Sequence, residues 1–141
     1  MNSFELHEAV SLKPVRCWFW LRTAELGRFA TSVDNVVGIY PVNFVVADET
    51  ILFKTAPGSK LENLTANPEV AFEADGHDGD LWWSVVVHGR AERIPFDDEI
   101  EATGLLSTTS LMPGDKQNFV RIVPRELTGI AFHRERAAHD S

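Results

Sequence analysis

Lys54, Thr55, Ser59 and Lys60 place two cations and two hydroxyls within seven residues, in the stretch Phe53-Lys54-Thr55-Ala56-Pro57-Gly58-Ser59-Lys60-Leu61-Glu62. Side chains of these types suit a phosphate, which takes charge-assisted hydrogen bonds from ammonium groups and accepts from hydroxyls. The local pattern adds to this. A β-rich run ends at Thr55, Pro57-Gly58 marks a turn, and helical spacing begins after Ser59. Ser59 and Glu62 stand at the S-x-x-E spacing of a capping box. The first turn of such a helix offers unpaired N–H groups and the positive end of the helix dipole, both of which favour an anion. The same residues also have a plainer account. S-x-x-E is a common helix start, and a first-turn lysine is ordinarily just solvated. Neither a Walker lysine pattern nor a G-x-G-x-x-G fingerprint is present, which argues against a P-loop ATPase or a classical dinucleotide fold.

The remaining chemistry-bearing residues are sparse. Cys17 is the single cysteine, so no internal disulfide forms. No metal-ligand spacing exists, and no metal site is assigned. His88 falls on the polar side of an alternating run, either as a proton donor to substrate or as a surface histidine. No pair of residues stands out as an obligatory acid and base, so the catalytic residues are unassigned.

Charge narrows the partners. Lys plus Arg number 13 against 21 Asp plus Glu, a net charge of −8 over 141 residues. An acidic chain is a poor non-specific binder of nucleic acid and of anionic membrane surfaces. A small anionic ligand fits only where the few cations gather. Residues Met1 to Lys13 carry acids and no long apolar run, and no stretch approaches about 18 apolar residues, so the cytoplasm is the expected location.

These residues need elements to position them. Val15, Trp18, Phe19, Arg22 and Leu26 follow helical spacing from about Ser11 and Pro14, with Gly27 as the C′ residue. Strands are predicted at Arg28–Val33, Gly38–Val46, Ile51–Thr55, Val70–Ala74, Trp82–Ile94, Phe119–Val123 and Leu127–His133, the last two divided by Pro124. Asp34-Asn35 and Ala47-Asp48-Glu49 read as turns, and Asp75 to Asp80 as a polar loop. Short helices are expected at Lys60–Ala66 and about Asp98–Leu106. Hairpin-like groups of strands without regular βαβ alternation indicate a mainly β chain, an antiparallel barrel with helical additions. One domain spans residues 1–141, with 1–12 and 134–141 expected as flexible tails.

The ordered set GRFA (27–30), PVNFVV (41–46), FKTAPGSKL (53–61), VAFEADG (70–76) and WSVVVHGRAERI (83–94) resembles the pyridoxamine 5′-phosphate oxidase-like family of flavin-binding split barrels. The likeness covers about residues 15 to 130. It implies a six-stranded antiparallel split barrel that forms a homodimer, with FMN in each of two grooves between subunits. Carried onto this chain, Pro41, Val42, Asn43 and Phe44 would lie along the isoalloxazine ring through backbone and side-chain contacts. Lys54 and Thr55 would meet the ribityl chain and phosphate, Ser59 and Lys60 would complete the phosphate site, and Trp83 and Ser84 would border the ring or the subunit interface. The implied activity is an FMN-dependent oxidoreductase on a small organic substrate. A non-enzymatic flavin-binding module and an F420-dependent reductase are the alternatives on the same fold. One departure stands out: the Arg-rich C-terminal signature that holds the substrate phosphate in authentic pyridoxamine phosphate oxidases is missing from Pro124 to Arg134.

Overall fold

The computed structural model describes residues 4–6, 8–95, 97–105 and 118–136. In chain order these form β1 (Phe4–Leu6), β2 (Val10–Ser11), α1 (Pro14–Thr23), β3 (Leu26–Val33), β4 (Val36–Ala47), β5 (Thr50–Thr55), α2 (Ser59–Ala66), β6 (Glu69–Asp78), β7 (Leu81–Ile94), α3 (Asp98–Ala102) and β8 (Asn118–Arg136). The chain is mainly β, as expected, and its strands pair antiparallel. The hydrogen-bonded path runs β1-β8-β5-β4-β3-β6-β7, seven strands rather than six, with β2 also on β8. A further pairing of β7 with β8 joins the ends of the six long strands, which closes β3 to β8 into a barrel.

Local chemistry explains the order. β3 and β4 join through Asp34 and Asn35, both at positive φ (51° and 64°), as a two-residue hairpin turn requires. β4 and β5 join the same way through Asp48 and Glu49. Along β7 the side chains at Trp83, Val85, Val87, Gly89 and Ala91 are buried and their neighbours face out, the period-2 pattern of a half-buried strand. The barrel interior is filled by Phe29, Phe53, Phe72, Val85 and Val87. α1 adds Cys17, Trp18, Trp20 and Leu21 to that core, and α2 adds Leu61 and Leu64. A second cluster lies where α3 covers the sheet, with Leu52, Ile100, Leu105 and Phe119.

Four expectations are corrected. First, α1 ends at Thr23, and Gly27 belongs to β3. A Cβ on Gly27 would come within 2.4 Å of the Phe72 ring, so this glycine permits close packing and does not end a helix. Second, the polar run Asp75 to Asp80 is mostly strand, because β6 pairs with β7 as far as Asp78 opposite Leu81. Third, β8 is continuous through Pro124. The register slips between His88 and Gly89, so that Glu126 and Pro124 oppose them and Arg125 is the extra residue of a bulge. A Cβ on Gly89 would meet the Val123 carbonyl at 2.3 Å, so the bulge needs glycine there. Fourth, the segments expected as tails carry ladder pairs: Phe4–Leu6 with Arg134–Arg136, and Val10–Ser11 with Ile130–Ala131. Leu106 of the third predicted helix and residues 137–141 lie outside the described residues. Among the described residues no helix is long and apolar enough to cross a membrane.

Candidate functional site

The start of α2 is built differently from a capping box. Ser59 is the first helical residue, and the N-cap is Gly58, at φ 152° and ψ −168° with no side-chain cap. That backbone conformation suits glycine, and nothing lies within 4 Å of where its Cβ would stand. The first intrahelical bond runs from Glu62 N–H to the Gly58 carbonyl at 3.0 Å. The N–H groups of Ser59, Lys60 and Leu61 therefore have no carbonyl upstream in the helix. Ser59 is exposed and Lys60 half-buried, and among the described residues the Lys60 ammonium has no ion-pair partner. Lys54 is half-buried on the outer side of β5 and is engaged by a neighbouring group. Thr55 points the other way: it is 7% exposed, and its hydroxyl donates to the Ala56 carbonyl at 3.3 Å. The alternation of β5 thus takes the Thr55 side chain out of the set that faces Lys54.

Beside this helix start the barrel parts. β4 pairs with β5 only from Phe44–Phe53 onward. Pro41, Val42 and Asn43 stay on β3, opposite Arg28, Gly27 and Leu26, while Lys54 and Thr55 stay on β8, opposite Phe119 and Asn118. β4 contributes its Pro41 and Asn43 side chains to the outside. Val42 and Phe44 are 5% and 3% exposed, and Phe44 meets Phe72 edge-on at 4.9 Å. These two side chains belong to the core, so only their backbone can meet a ligand on the outer face. A cavity of about 440 Å³ adjoins the same strand, bounded by Asn43 and Val45, by Arg22 and Glu25 at the end of α1, and by Thr103 and Gly104. That volume is in the range of small-ligand sites, roughly 300–1,000 Å³.

Trp83 and Ser84 are not brought to this corner within one chain. Ser84 pairs with Ile130, whereas Lys54 reaches β8 at Phe119. Eleven residues of β8 (130 − 119) separate the two points, on the order of 30 Å along a strand. Trp83 is 3% exposed and stacked on Trp20 at 5.9 Å, so its ring is core rather than ligand wall. Ser84 faces outward and is half-buried.

Residues 14–131 match the family described as pyridoxamine 5′-phosphate oxidase. The chain belongs to this family. An uncharacterized protein of Mycobacterium tuberculosis is 41% identical over 91 residues, 62% of this chain and 80% of its own. The structure of an FAD-binding protein from Mycobacterium smegmatis aligns at 36% identity with a TM-score of 0.68, covering 89% of this chain and all of that one. An FAD-binding protein from Mesorhizobium loti aligns at 26% identity and TM-score 0.81, covering 91% and 98%.

Like its relatives in the pyridoxamine 5′-phosphate oxidase family, this chain has a split β-barrel-like sheet, and its outer face carries a feature that strand-by-strand reading missed. Arg28 on β3 donates to Glu73 Oε1 on β6 from Nε (3.0 Å) and Nη2 (2.7 Å), and Nη2 also reaches Asp75 Oδ2 at 3.0 Å. One guanidinium serves two carboxyl groups. Partial burial, then a hydrogen bond with Asp75, push the Glu73 carboxyl up to about 7, against the opposing pull of Arg28. A folded value above the unfolded one means folding favours the protonated acid. The contribution is complete below about 4.5 and disappears as the pH rises through about 7. Because the site is partly exposed, about 1 kcal/mol is the appropriate scale. Glu73→Gln should therefore narrow the difference in urea midpoint between pH 5 and pH 8. An unchanged pH dependence in the variant would remove Glu73 as its source. This cluster cannot be read along the chain, because β3 pairs with β6 across the intervening hairpin and helix.

Proposed function

We propose that the chain binds a flavin, FMN in the first instance, and works as a flavin-dependent oxidoreductase on a small organic substrate. The observation that carries this reading is the uncapped start of α2, with Lys60 beside it, at the point where β4 and β5 part. The donor set fits the cofactor. A flavin phosphate carries up to two negative charges and takes backbone N–H groups, an ammonium and a hydroxyl together. The outer side of β4 gives a flat ring the apolar Pro41 and Val45 with the Asn43 amide, which can both donate and accept at a polar ring edge. When bound, the flavin supplies the redox chemistry.

In this reading the protein's residues bind and orient. Lys60, Ser59 and the first N–H groups of α2 hold the phosphate, and Lys54 adds charge from β5. Asn43 fixes the ring edge. Val42 and Phe44 stiffen β4 from inside the barrel. Ser84 comes from a second copy, since it is remote from Lys54 within its own chain. The exposed Val37 and Ile39 of β4 and Leu26 of β3 offer that copy apolar contacts on the outer face. A homodimer with flavin between its subunits follows. The FAD-binding relatives support a flavin. They also make FAD, whose first phosphate suits the same cradle, the alternative to FMN.

The absorption spectrum of the purified protein, with chromatography of the released cofactor, tests the reading. Oxidised-flavin bands and released FMN are expected. Released FAD or F420 would replace FMN as the cofactor, and failure to bind any of the three when added in excess would overturn the site. Anaerobic NADH or NADPH should then bleach the bound flavin. Retained flavin with no bleaching by either donor would remove the reductase reading and leave a binding module.

A further inference from the structure

The outward positions of five neighbouring strands make one face of small and apolar side chains with a charged cluster in its middle. Phase and register define it. β6 turns Val70, Phe72 and Ala74 inward, so Glu73 and Asp75 point out. Arg28 stands opposite Pro41 on β4 and Glu73 on β6, and Glu73 stands opposite Val86 on β7, whose partner on β8 is Thr128. To one side of this row, Ala30 lies between Ile39 and Ala71. To the other side, Asp75 stands opposite Ser84, and Ser84 opposite Ile130. Ile39 and Ile130 are exposed. Five strands at their usual spacing span about 20 Å.

The cluster in this face is short of positive charge. Arg28 meets both Glu73 and Asp75, which leaves one negative charge over when both acids are ionised. No neighbouring element corrects this. β7 sets the uncharged Val86 and Ser84 against the two acids, and its next outward residue, His88, stands opposite Ala71. Beyond Ala71, Glu69 is engaged by Arg125 and Arg90. β4 brings Pro41 against Arg28. Within one chain the surplus is balanced by water or by a proton, and the Glu73 carboxyl, half-buried and hydrogen-bonded with Asp75, is the group raised to about 7.

Ser84 ties this face to a second copy. It is the register partner of Asp75, and it is too far from Lys54 to reach the same flavin within its own chain. A copy that delivers Ser84 to its neighbour's flavin therefore approaches with this face. On the basis of the homodimer proposed above, whatever its flavin, we infer that a second copy of the chain docks over Arg28, Glu73 and Asp75 and that docking fixes one proton per chain on the Glu73–Asp75 pair. A two-fold contact uses the same patch on both subunits, so the surplus charge is present twice. Docking removes the water that solvates it, and an uncompensated charge in a buried contact is strongly unfavourable. One proton on each chain removes it. Below about pH 7 each chain already carries that proton; above it, docking must take one up, so the dimer weakens as the pH rises.

Sedimentation equilibrium of the flavin-free full chain at pH 6.5 and pH 8.5 tests this. The dimer dissociation constant should be about tenfold or more higher at pH 8.5, because two protons per dimer are linked to docking. Glu73→Gln puts a neutral hydrogen-bonding group in place of the acid and should bring the two constants together. Ile39→Glu and Thr128→Glu, at exposed outward positions on opposite sides of the face, should each give monomers where the native chain is dimeric. Should the native dimer stay intact at the lowest measurable concentration, subunit exchange between two labelled pools should be faster at pH 8.5. The same constant or exchange rate at both pH values overturns the inference, as does a pH dependence that Glu73→Gln leaves in place. A dimer that survives both glutamate variants overturns the docking face but keeps the homodimer. A monomer under every condition overturns both, while the absorption spectrum still judges the flavin site separately.

Discussion

Replacing Lys54 and Lys60 together by alanine should weaken flavin binding by roughly 3 kcal/mol or more, a loss of a hundredfold or greater in Kd. Each charge-assisted hydrogen bond is worth roughly 1.5–3 kcal/mol, and the two ammonium groups approach the proposed phosphate from different elements, β5 and α2. Stability should change little, since neither side chain belongs to the buried core. The two positions are not equivalent. Lys60 has no ion-pair partner among the described residues, so Lys60→Ala reports on the ligand alone. Lys54 already interacts with a neighbour, so its replacement also disturbs the free protein. Flavin fluorescence quenching reads the affinity directly. A folded double variant that binds flavin as tightly as the native chain would eliminate the cradle, whatever the cofactor does elsewhere.

The barrel was legible because its signals are local. Alternation along β7, the turns at Asp34-Asn35 and Asp48-Glu49, and Pro57-Gly58 ahead of α2 each act over a few residues, and the structure keeps all of them. What failed depended on remote neighbours. Gly27 has the look of a helix end until Phe72 is known to press against it. Asp75 to Asp80 has the composition of a loop, yet the outward positions of a hairpin tolerate the same polar residues. Pro124 divides a strand only if no bulge stands beside it in the same strand, as Arg125 does here. The candidate site shows the same division. Lys60, Ser59 and the glycine turn were readable from one stretch, although the cap proved to be Gly58 itself. Asn43 entered only through the family resemblance, and the structure puts its side chain on the outer side of β4. The inward turn of Val42, Phe44 and Thr55 follows from the phase of two strands, which a motif match does not carry. Arg22 and Glu25 of the adjoining cavity, and the Arg28–Glu73–Asp75 cluster, required tertiary placement to be seen at all.

Trp83 offers the strongest test of that division, because motif and structure assign it different work. The resemblance puts its ring beside the flavin or at the subunit interface, whereas packing puts it inside the barrel. Its indole stacks on Trp20 with ring planes 20° apart, and Trp20 in turn meets Phe19 edge-on at 5.0 Å. A Cβ on Gly76 would stand 3.0 Å from the Trp83 ring, so β6 closes over it from the other strand. Trp83→Ala would leave a void between α1 and the sheet and should cost about 3–5 kcal/mol. Urea denaturation measures that loss. Flavin would leave this variant too, because α1 carries one wall of the cavity beside Asn43. The alanine variant alone therefore cannot separate the two roles. Trp83→Phe does so: it keeps an aromatic ring against Trp20 and should retain most of the stability. If the ring is core, the phenylalanine variant binds flavin with native affinity and an unshifted visible spectrum. If it is a ligand wall, affinity falls or the flavin bands move while the urea midpoint holds, and the interior assignment of Trp83 fails.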